Sequence, residues 1–592
     1  MNFLAKFKIL NIVNSFWTHI ATRHKIQACF LLLLMIISSI SEVFSIGAAI
    51  PFIAVIVSPE SIVNYEVIKS ISNLIGSLKI SDLTLYLTII FILAVILSCI
   101  IRVLLVWALN TFCFLVGADL ASKLYRNSLY QPYVNQISQS TSVILDSITV
   151  KTETVITTFI LPFMNFISAL VIGSAVLLVL FFVTPKVALL LCVLAVFIYF
   201  FLIISTQKSL RIKSEVISIS SAKAIKTLQD GLGSNRDILI SSLQEYYLAK
   251  FDEYYKSFRH AQAWVQVVSL MPRYIVEGIG LVLVALTALI MNQKGIASQE
   301  VMSTLGVLVI AAQRLLPIIQ QGYASFMNMR GSKEVLSSII ILLDKNNMEK
   351  VPAKSNQKNK KLTFKDSITF MGVSYYYENN SKKVLKDINF KIKKGSFVAI
   401  KGVSGAGKST LLDLLLGLIN TRSGSILVDK KKLNFENQQN WWNNLSHVPQ
   451  TVFLVDGTVL ENICFGIPSH QVDFEKLTLA CKCAQIEDTI NKLPLKYQNN
   501  VGERGILLSG GERQRIAIAR ALYKTKDILI LDEATSGISS EVEGLILDSI
   551  KSNFPSLTVV SVTYEKTNLY KYDKIFELRE KKVYQVSKSK LN

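Results

Sequence analysis

Long apolar stretches alternate with polar segments through the first half of the chain. Each stretch reaches or exceeds the roughly 20 residues that a helix needs to cross a bilayer. The stretches lie at about residues 28–57, 83–117, 154–183, 186–206, 263–292 and 300–326. This pattern predicts a bundle of transmembrane helices, six in number, within residues 1–330.

Positive charge is distributed unevenly among the polar segments. Residues 1–27, 119–153 and 207–262 are rich in lysine and arginine, whereas the segments between them carry few. Because cytosolic loops carry an excess of basic residues, this bias predicts a multi-pass membrane protein with both termini in the cytosol. The expected location is the cell inner (plasma) membrane. The helical periodicity of residues 207–262 predicts that helices four and five extend far into the cytosol, with the turn at Asp230 to Asp237 at their tip.

Composition changes after the sixth apolar stretch. Residues 331–361 are predicted to be a linker, because their second half is polar, lysine-rich and without an apolar face. From residue 362 to residue 592, strand-like and helix-like runs alternate, as in an α/β nucleotide-binding domain. The predicted fold is therefore a membrane helical bundle with cytosolic extensions, followed by an α/β P-loop NTPase domain.

A phosphate-binding loop, GVSGAGKST, lies between the strand-like run SFVAIK and the helix-like run LLDLLLGL. Its glycines let successive backbone N–H groups and a helix N-terminus approach a polyphosphate. Lys408 is then expected to reach the β- and γ-phosphates, and Ser409 to bind Mg²⁺. The residues predicted to contact the nucleotide are Gly402, Ser404, Gly405, Ala406, Gly407, Lys408, Ser409 and Thr410.

Two carboxylates and an amide complete a predicted hydrolytic site. Asp532 and Glu533 end the strand-like run ILILDE, and Gln450 lies in the polar segment HVPQTVF. Asp532 is suited to a water-mediated contact with Mg²⁺, and Glu533 to polarising the attacking water. Gln450 can contact both the metal and that water. Two carboxylates at a strand end are commonly surface groups without a catalytic role. The phosphate-binding loop upstream favours the catalytic interpretation.

The segment LSGGERQRIAIARAL, Leu508 to Leu522, opens a second helix with a serine and two glycines. That helix start is another anion-binding terminus, and one domain cannot fold both termini around a single phosphate. Here the whole chain resembles the ATP-binding cassette (ABC) transporters. The resemblance implies two cassettes that meet head to tail, with the serine-glycine segment of one chain contacting ATP held by Lys408 of the other. The contacting residues are Ser509, Gly510, Gly511 and Glu512.

The resemblance therefore implies a homodimer, with a heterodimer as the alternative, and implies ATP and Mg²⁺ as ligands. Tyr377 matches the position where the family stacks an aromatic ring on adenine; the alternative is a tyrosine in the strand core. Ser536 to Ser539 depart from the family's SALD. Tyr564 stands where the family has a histidine that contacts the γ-phosphate, and all five histidines of the chain precede Glu533. The third catalytic residue predicted is thus Tyr564, with a reduced rate of hydrolysis.

Three arginines fall in apolar stretches: Arg102, Arg273 and Arg314. Ionisable groups at membrane depth are usually functional, and guanidinium groups suit phosphate. The alternatives are snorkelling to headgroups or local ion pairs, such as Arg273 with Glu277. SEVFSIGAAIPFIAVI, PRYIVEGIG and QRLLPIIQQ also resemble the flippases of lipid-linked oligosaccharides. That resemblance implies a polyprenyl-pyrophosphate glycan, whose pyrophosphate the arginines would hold.

Other functions fit parts of the pattern. An exporter of peptides, lipids or drugs is the first alternative, and a weakly hydrolysing, ATP-gated regulatory membrane protein or a degenerate half of a heterodimer is the second. The net charge of +21 is scattered rather than gathered into an aromatic-interleaved patch, so membrane lipid rather than nucleic acid is the expected partner.

Overall fold

The computed structural model describes residues 14–57, 80–138, 140–183, 185–293, 298–348, 362–377, 383–563 and 568–587. The chain divides into two compact units. The first comprises Met1–Gln131 and Gln136–Lys350, and the second comprises Pro132–Asn135 and Val351–Asn592. Within residues 331–361, predicted to be a linker, Lys333–Met348 is helical.

Up to residue 348 the described chain is helical. The helices are α1 (Thr22–Val57), α2 (Ile80–Tyr130), α3 (Tyr133–Ser138), α4 (Thr141–Asp146), α5 (Thr152–Val155), α6 (Leu161–Val183), α7 (Pro185–Gly233), α8 (Asn235–Ile240), α9 (Gln244–Gln293), α10 (Ser298–Gly331) and α11 (Lys333–Met348). Two π-helical turns, Ser147–Lys151 and Ile156–Ile160, flank α5.

Every predicted transmembrane stretch is helical, and the third, 154–183, runs from the end of α5 through the second π-helical turn into α6. Within the described residues, four segments are long and apolar enough to cross a membrane: Thr22–Ala48, Leu85–Tyr130, Thr141–Val179 and Gln244–Val282. The fourth and sixth predicted stretches lie on α7 and α10. The prediction of a helical membrane domain is confirmed, and the number of spans stays a prediction.

The helices α7 and α9 extend well beyond their apolar stretches. They contain 49 and 50 residues, which at 1.5 Å per residue is about 75 Å each. The two helices pack along each other, and the short α8 lies in the connection between them. This arrangement matches the extended helices and the turn near Asp230 to Asp237 that the periodicity predicts.

A buried ion pair joins two parts of the first unit. Asp146 is fully buried at the end of α4, and Lys151 Nζ lies 3.4 Å from Asp146 Oδ2. The Ser221 hydroxyl of α7 donates a hydrogen bond to Asp146 Oδ1. Because burying an unpaired carboxylate is costly, these contacts fix α4 and the first π-turn against α7.

The second unit contains ten strands and seven α-helices among its described residues. The strands are β1 (Ser367–Tyr375), β2 (Leu385–Lys393), β3 (Phe397–Lys401), β4 (Ser423–Val428), β5 (Lys431–Lys432), β6 (Leu445–Val448), β7 (Ile528–Asp532), β8 (Thr558–Val562), β9 (Lys574–Arg579) and β10 (Lys582–Val586). The helices are α12 (Lys408–Leu415), α13 (Gln438–Trp442), α14 (Val459–Ile463), α15 (Phe474–Cys483), α16 (Glu487–Lys492), α17 (Gly510–Lys524) and α18 (Ser540–Asn553).

Two sheets organise this unit. A four-stranded antiparallel sheet has the order β2-β1-β4-β5, and a six-stranded sheet has the order β10-β9-β3-β8-β7-β6. In the larger sheet all neighbouring strands pair in parallel except β10 with β9. The strands β3, β7 and β8 are buried almost throughout, as the continuous apolar runs FVAIK, ILILD and TVVSV predict.

The register of the central strands determines where the site forms. Val562 of β8 pairs with Ile400 of β3 and with Asp532 of β7. The carboxyl ends of these three parallel strands therefore meet at one edge of the sheet, where α/β domains bind ligands. The phosphate-binding loop and the carboxylate pair leave the sheet at this edge.

Candidate nucleotide-binding site

The loop between β3 and α12 has the backbone of a phosphate cradle. Gly405 and Gly407 have φ values of +77° and +104°, which strain any residue with a side chain. A Cβ on Gly402 would lie 2.7 Å from the carbonyl oxygen of Leu578. These glycines are therefore required by the turn itself. The loop leads directly into the N-terminus of α12, whose free N–H groups favour an anion.

Lys408 is almost buried at the start of α12. Its Nζ donates hydrogen bonds to the carbonyl oxygens of Gly402 at 2.9 Å and Val403 at 3.3 Å. The same nitrogen lies 3.7 Å from Glu533 Oε1, and the two side chains are 5% and 10% exposed. The ammonium group is thus held at the mouth of the loop, next to the proposed catalytic carboxylate.

Glu533 receives a second contact from Gln450. Gln450 Nε2 donates a hydrogen bond to Glu533 Oε2 over 2.6 Å. The backbone of Glu533 has a φ of +48°, and its N–H donates to the carbonyl oxygen of Val562 at 3.0 Å. A glutamate with a backbone in the left-handed region is uncommon, and such backbone conformations concentrate at functional sites. The structure therefore brings together Lys408, Gln450 and Glu533, three residues that the sequence analysis assigned to one site.

Two aspartates lie beside this group. Burial, and then the neighbouring charge of Glu533, raise the pKa of Asp532 to about 6, while Lys408 acts in the opposite direction. Burial and the charge of Asp532 likewise raise the pKa of Asp413 to about 6. The sequence analysis missed Asp413. The sequence spacing could have identified Asp413, because it follows Ser409 by four residues on α12 and therefore lies on the same helix face.

The oxygen donors at this edge suit magnesium. Ser409 supplies a hydroxyl, Gln450 an amide and Asp532 a carboxylate. Mg²⁺ prefers oxygen ligands and binds through one or two carboxylates together with substrate phosphates and water. The residues present therefore fit a Mg²⁺–nucleotide complex.

Tyr377 presents an accessible ring near the loop. Its hydroxyl lies 3.1 Å from Thr410 Oγ1, which links it to the first turn of α12. The ring contacts Tyr375 edge-on with centroids 5.1 Å apart, and 40% of the residue remains exposed. The Tyr377 ring is thus partly accessible for stacking, whereas Tyr375 is buried in the strand.

The serine-glycine segment begins α17 with a capping box. The Ser509 N–H and hydroxyl both donate to Glu512 Oε2 at 2.8 Å, and the Glu512 N–H donates back to Ser509 Oγ. The Ser509 backbone N–H is the largest cause that lowers the pKa of Glu512. A Cβ on Gly511 would lie 2.9 Å from the Gly537 carbonyl oxygen, and Gln514 accepts from the Gly537 N–H. The helix start is thus packed against the segment that replaces SALD.

The remaining predicted residues are distributed differently. Tyr564 lies outside the described residues, as does the side chain of Arg314. Arg273 is exposed on α9. Arg102 lies 3.7 Å from Glu42, a buried carboxylate of α1 that the sequence analysis did not identify. The sequence could have identified Glu42, because it is an acidic residue within an apolar stretch.

The phosphate loop, the carboxylate proposed to be catalytic and the serine-glycine helix start, fused to a helical membrane unit, define an ATP-binding cassette transporter. Two family models agree with this class. The model "ABC transporter" matches residues 385–536, and "ABC transporter transmembrane region" matches residues 26–312. The chain therefore belongs to the ABC transporter family and has the organisation of a half-transporter, with one membrane domain and one cassette.

Relatives among known proteins match a little over a third of the chain. The chain is 36% identical over 219 residues to ABC transporter B family member 29, chloroplastic, of Arabidopsis thaliana. It is 37% identical to ABC multidrug transporter atrD of Emericella nidulans over 230 residues, and 37% identical to YfiB of Bacillus subtilis, an uncharacterised ABC transporter ATP-binding protein, over 213 residues. These matches cover 37%, 39% and 36% of this chain, and 34%, 17% and 36% of the relatives.

The fold similarity extends over the whole chain. A structure of a bacterial Atm1-family ABC exporter with ATP bound has a TM-score of 0.75 and 22% sequence identity, and the match covers 96% of each chain. The chain thus has the exporter-type fold. The flippase resemblance found in the sequence remains a hypothesis about its substrate.

Proposed function

We propose that this chain is one half of an ATP-driven exporter of membrane amphiphiles, acting as a homodimer in a bacterial inner membrane. The observation that carries the proposal is the meeting of Lys408, Gln450 and Glu533 at the sheet edge. A cassette that only bound nucleotide would have little need of a buried carboxylate in this position. Hydrolysis at this edge would drive movement of the attached helices.

Each residue has a separate task in the proposed reaction. Lys408 gives up its two carbonyl contacts and offers its ammonium group to the β- and γ-phosphates. Glu533, oriented by Gln450, accepts the hydrogen bond of the attacking water. Ser409, Gln450 and Asp532 would hold Mg²⁺, which would supply positive charge to neutralise the phosphates.

The homodimer can be tested by complementation between two inactive chains. Lys408→Ala removes the phosphate-binding cation of one site, and Ser509→Arg blocks the segment contributed to the other chain's site. In a head-to-tail dimer, co-expression assembles mixed dimers with one intact site and restores part of the ATPase activity. Activity that stays at the level of the two separate variants would contradict shared sites.

A lipid-linked glycan with a pyrophosphate group is the first candidate substrate. Arg102, Arg273 and Arg314 are proposed to contact the pyrophosphate, because guanidinium groups bind phosphate oxygens in a bidentate manner. The test is ATPase activity of the full chain in proteoliposomes with and without a polyprenyl-pyrophosphate glycan, together with a flipping assay. Stimulation that each arginine-to-alanine variant removes, with ATP binding intact, is the expected result.

A drug, peptide or lipid substrate is the second candidate, and one observation favours it. Glu42 lies beside Arg102 and reduces the net positive charge that a pyrophosphate would meet. The named relatives include a multidrug transporter. In the same proteoliposomes, stimulation by amphiphilic drugs or lipids but not by the glycan lipid would select this candidate. Absence of any ATPase activity would instead favour an ATP-gated regulatory protein or a heterodimer.

A further inference from the structure

A cavity of about 430 Å³ lies between the first two long helices of the membrane unit. It combines polar groups from both helices with apolar side chains of α2. The lining residues are Glu42, Ser45, Val95, Ser98, Cys99, Arg102, Val103 and Val106. Ionisable residues at membrane depth are costly and rarely lack a functional partner.

The charged residues of the cavity are paired loosely. Glu42 is 3% exposed, and the Ser98 hydroxyl donates to its Oε2 over 3.1 Å. Arg102 Nη1 lies 3.7 Å from Glu42 Oε1, whereas charge-assisted N–H···O bonds are typically about 2.7 to 2.9 Å long. Since 46% of the Arg102 side chain is exposed, its guanidinium balances the charge of Glu42 and still has N–H groups directed elsewhere.

Ser45 supplies an independent sign of a ligand. The residue is 1% exposed, and its hydroxyl oxygen has no hydrogen-bond partner among the residues that the structure describes. Buried polar groups are almost always paired. Because Ser45 lines the cavity, rotation of its hydroxyl into the cavity would give it a polar partner in a bound molecule.

Charge balance selects the class of molecule. A simple cation would neutralise Glu42 and leave Arg102 opposed by no anion. A simple anion would neutralise Arg102 and leave Glu42 without a cation. An unpaired charge in a poorly solvated site is unfavourable. A zwitterion satisfies both groups at once, with its positive group at Glu42 and its negative group at Arg102, and leaves the net charge of the site unchanged.

The surroundings favour a lipid as the source of the zwitterion. Val103 and Val106 line the cavity and are 65% and 58% exposed, on a segment long and apolar enough to cross a membrane. A molecule bound here would meet the polar cluster with its headgroup and the exposed valines with its chains. A primary ammonium group also donates hydrogen bonds to Glu42 and Ser45, which a quaternary ammonium cannot do.

We propose that this cavity binds the headgroup of a zwitterionic lipid in which a primary ammonium group and a phosphate are joined, the chemistry of phosphatidylethanolamine. The ammonium group pairs with Glu42 and Ser45, and the phosphate pairs with Arg102. This lipid site requires only binding, and it assigns Arg102 to a lipid headgroup rather than to the pyrophosphate of the first candidate substrate.

Native mass spectrometry of the purified full chain tests the site directly. The probes are phosphatidylethanolamine, phosphatidylcholine and phosphatidylglycerol of matched chain length, with soluble phosphoethanolamine to distinguish a lipid from a free headgroup. Loss of a hydrogen bond to a charged group weakens binding roughly ten- to a hundredfold. We therefore expect phosphatidylethanolamine to bind at least about tenfold more tightly than the other two lipids.

Two variants and one control locate the binding. Glu42→Gln is nearly isosteric and Ser45→Ala removes one hydroxyl; both should reduce the preference for phosphatidylethanolamine, while Glu277→Gln, an exposed glutamate of α9, should retain it. ATP binding is measured on every variant, so that loss of lipid selectivity is distinguished from failure of the nucleotide site. Equal binding of the three lipids, or selectivity that persists in Glu42→Gln, overturns the proposal.

Cys99 gives a second readout within the cavity. Cys99 and Cys29 are both free and exposed, but only Cys99 lines the cavity. In nanodiscs of phosphatidylcholine, added phosphatidylethanolamine should slow alkylation of Cys99 several-fold and leave Cys29 unchanged. A polyprenyl pyrophosphate that protects Cys99 better than phosphatidylethanolamine, and more strongly in Glu42→Gln, would show that the cavity takes an anion instead.

Discussion

Lys408 and Glu533 lie 3.7 Å apart, Nζ to Oε1, although 125 positions separate them in the chain. The phosphate-binding cation and the carboxylate proposed to polarise water therefore neutralise each other before nucleotide binds. A γ-phosphate entering the loop would take over the lysine and leave the carboxylate for the attacking water. The two residues should consequently respond differently to substitution.

Lys408→Ala should abolish ATP binding, whereas Glu533→Gln should preserve binding and lower the hydrolysis rate by roughly a hundred- to a thousandfold. Fluorescent-nucleotide binding and phosphate release measure the two effects. Lys401→Ala is the matched control, since Lys401 lies just before the loop and pairs with Glu577 instead. An equal loss of binding in Glu533→Gln would contradict the division of roles.

Tyr377→Ala should weaken ATP binding by roughly two- to tenfold, the range of one aromatic stacking contact. Tyr377→Phe should bind nearly as well as the parent, because it keeps the ring and loses only the contact with Thr410. Tyr376→Ala is the control, because Tyr376 is similarly exposed at 39% and contacts Arg422 instead. Competition by tripolyphosphate, which has no base, distinguishes base stacking from a general effect, because every base can stack on an aromatic ring. Unchanged affinity in Tyr377→Ala would place the adenine elsewhere.

The pH dependence of Mg²⁺ binding should report on Asp532. Since burial and Glu533 raise the pKa of Asp532 to about 6, this carboxyl group carries a proton below that pH and cannot serve the metal. In the presence of ATP, the apparent Mg²⁺ affinity should fall as the pH is lowered from 7 toward 5.5. Glu533→Gln should move the midpoint to lower pH, because the neighbouring negative charge is removed. Because the terminal phosphate of ATP also takes up a proton in this range, Asp532→Asn is the control. A fall in affinity that is the same in Asp532→Asn would show that Asp532 does not set the profile.

Lys151→Met should destabilise the membrane unit, because it leaves the buried Asp146 carboxylate without its cation. Loss of one partner of a buried pair costs about 3 to 5 kcal/mol. The double variant Asp146→Asn with Lys151→Met should recover much of that loss. Thermal unfolding of the full chain in detergent is the measurement. As a control, Lys256→Met removes an exposed pair with Asp252 and should change stability by about 0 to 1 kcal/mol.

Tyr564 carries the prediction of slow turnover. Loss of a polar contact to the transition-state phosphate costs on the order of 3 to 4 kcal/mol, or about a hundred- to a thousandfold in rate. We expect weak ATPase activity that Tyr564→His raises and Glu533→Gln abolishes. Tyr564→Phe separates the contribution of the hydroxyl. If Tyr564→His leaves the rate unchanged, the tyrosine already substitutes for the histidine; if neither Tyr564→His nor Glu533→Gln alters it, this chain's hydrolysis is not the driving step.

The sequence by itself determined the elements and the chemistry that local spacing encodes. The glycines of GVSGAGKST are required by a turn only nine residues long. The loop and α12 were therefore predictable from the local sequence alone. The continuous apolar runs that became β3, β7 and β8, and the apolar stretches of the membrane half, follow from the environment each residue type prefers. The capping box of Ser509 and Glu512 is equally local.

Only the tertiary structure decided which distant side chains meet. The register of β3, β8 and β7 brings Lys408 to Glu533 and places Asp413 among the carboxylates. Packing of α1 on α2 sets Glu42 beside Arg102, so the arginine that the sequence suggested for phosphate alone has an anionic neighbour. A hydrophobic pattern identifies the buried face of a helix or strand but not its partner, because contacts across large sequence separations depend on how whole elements pack.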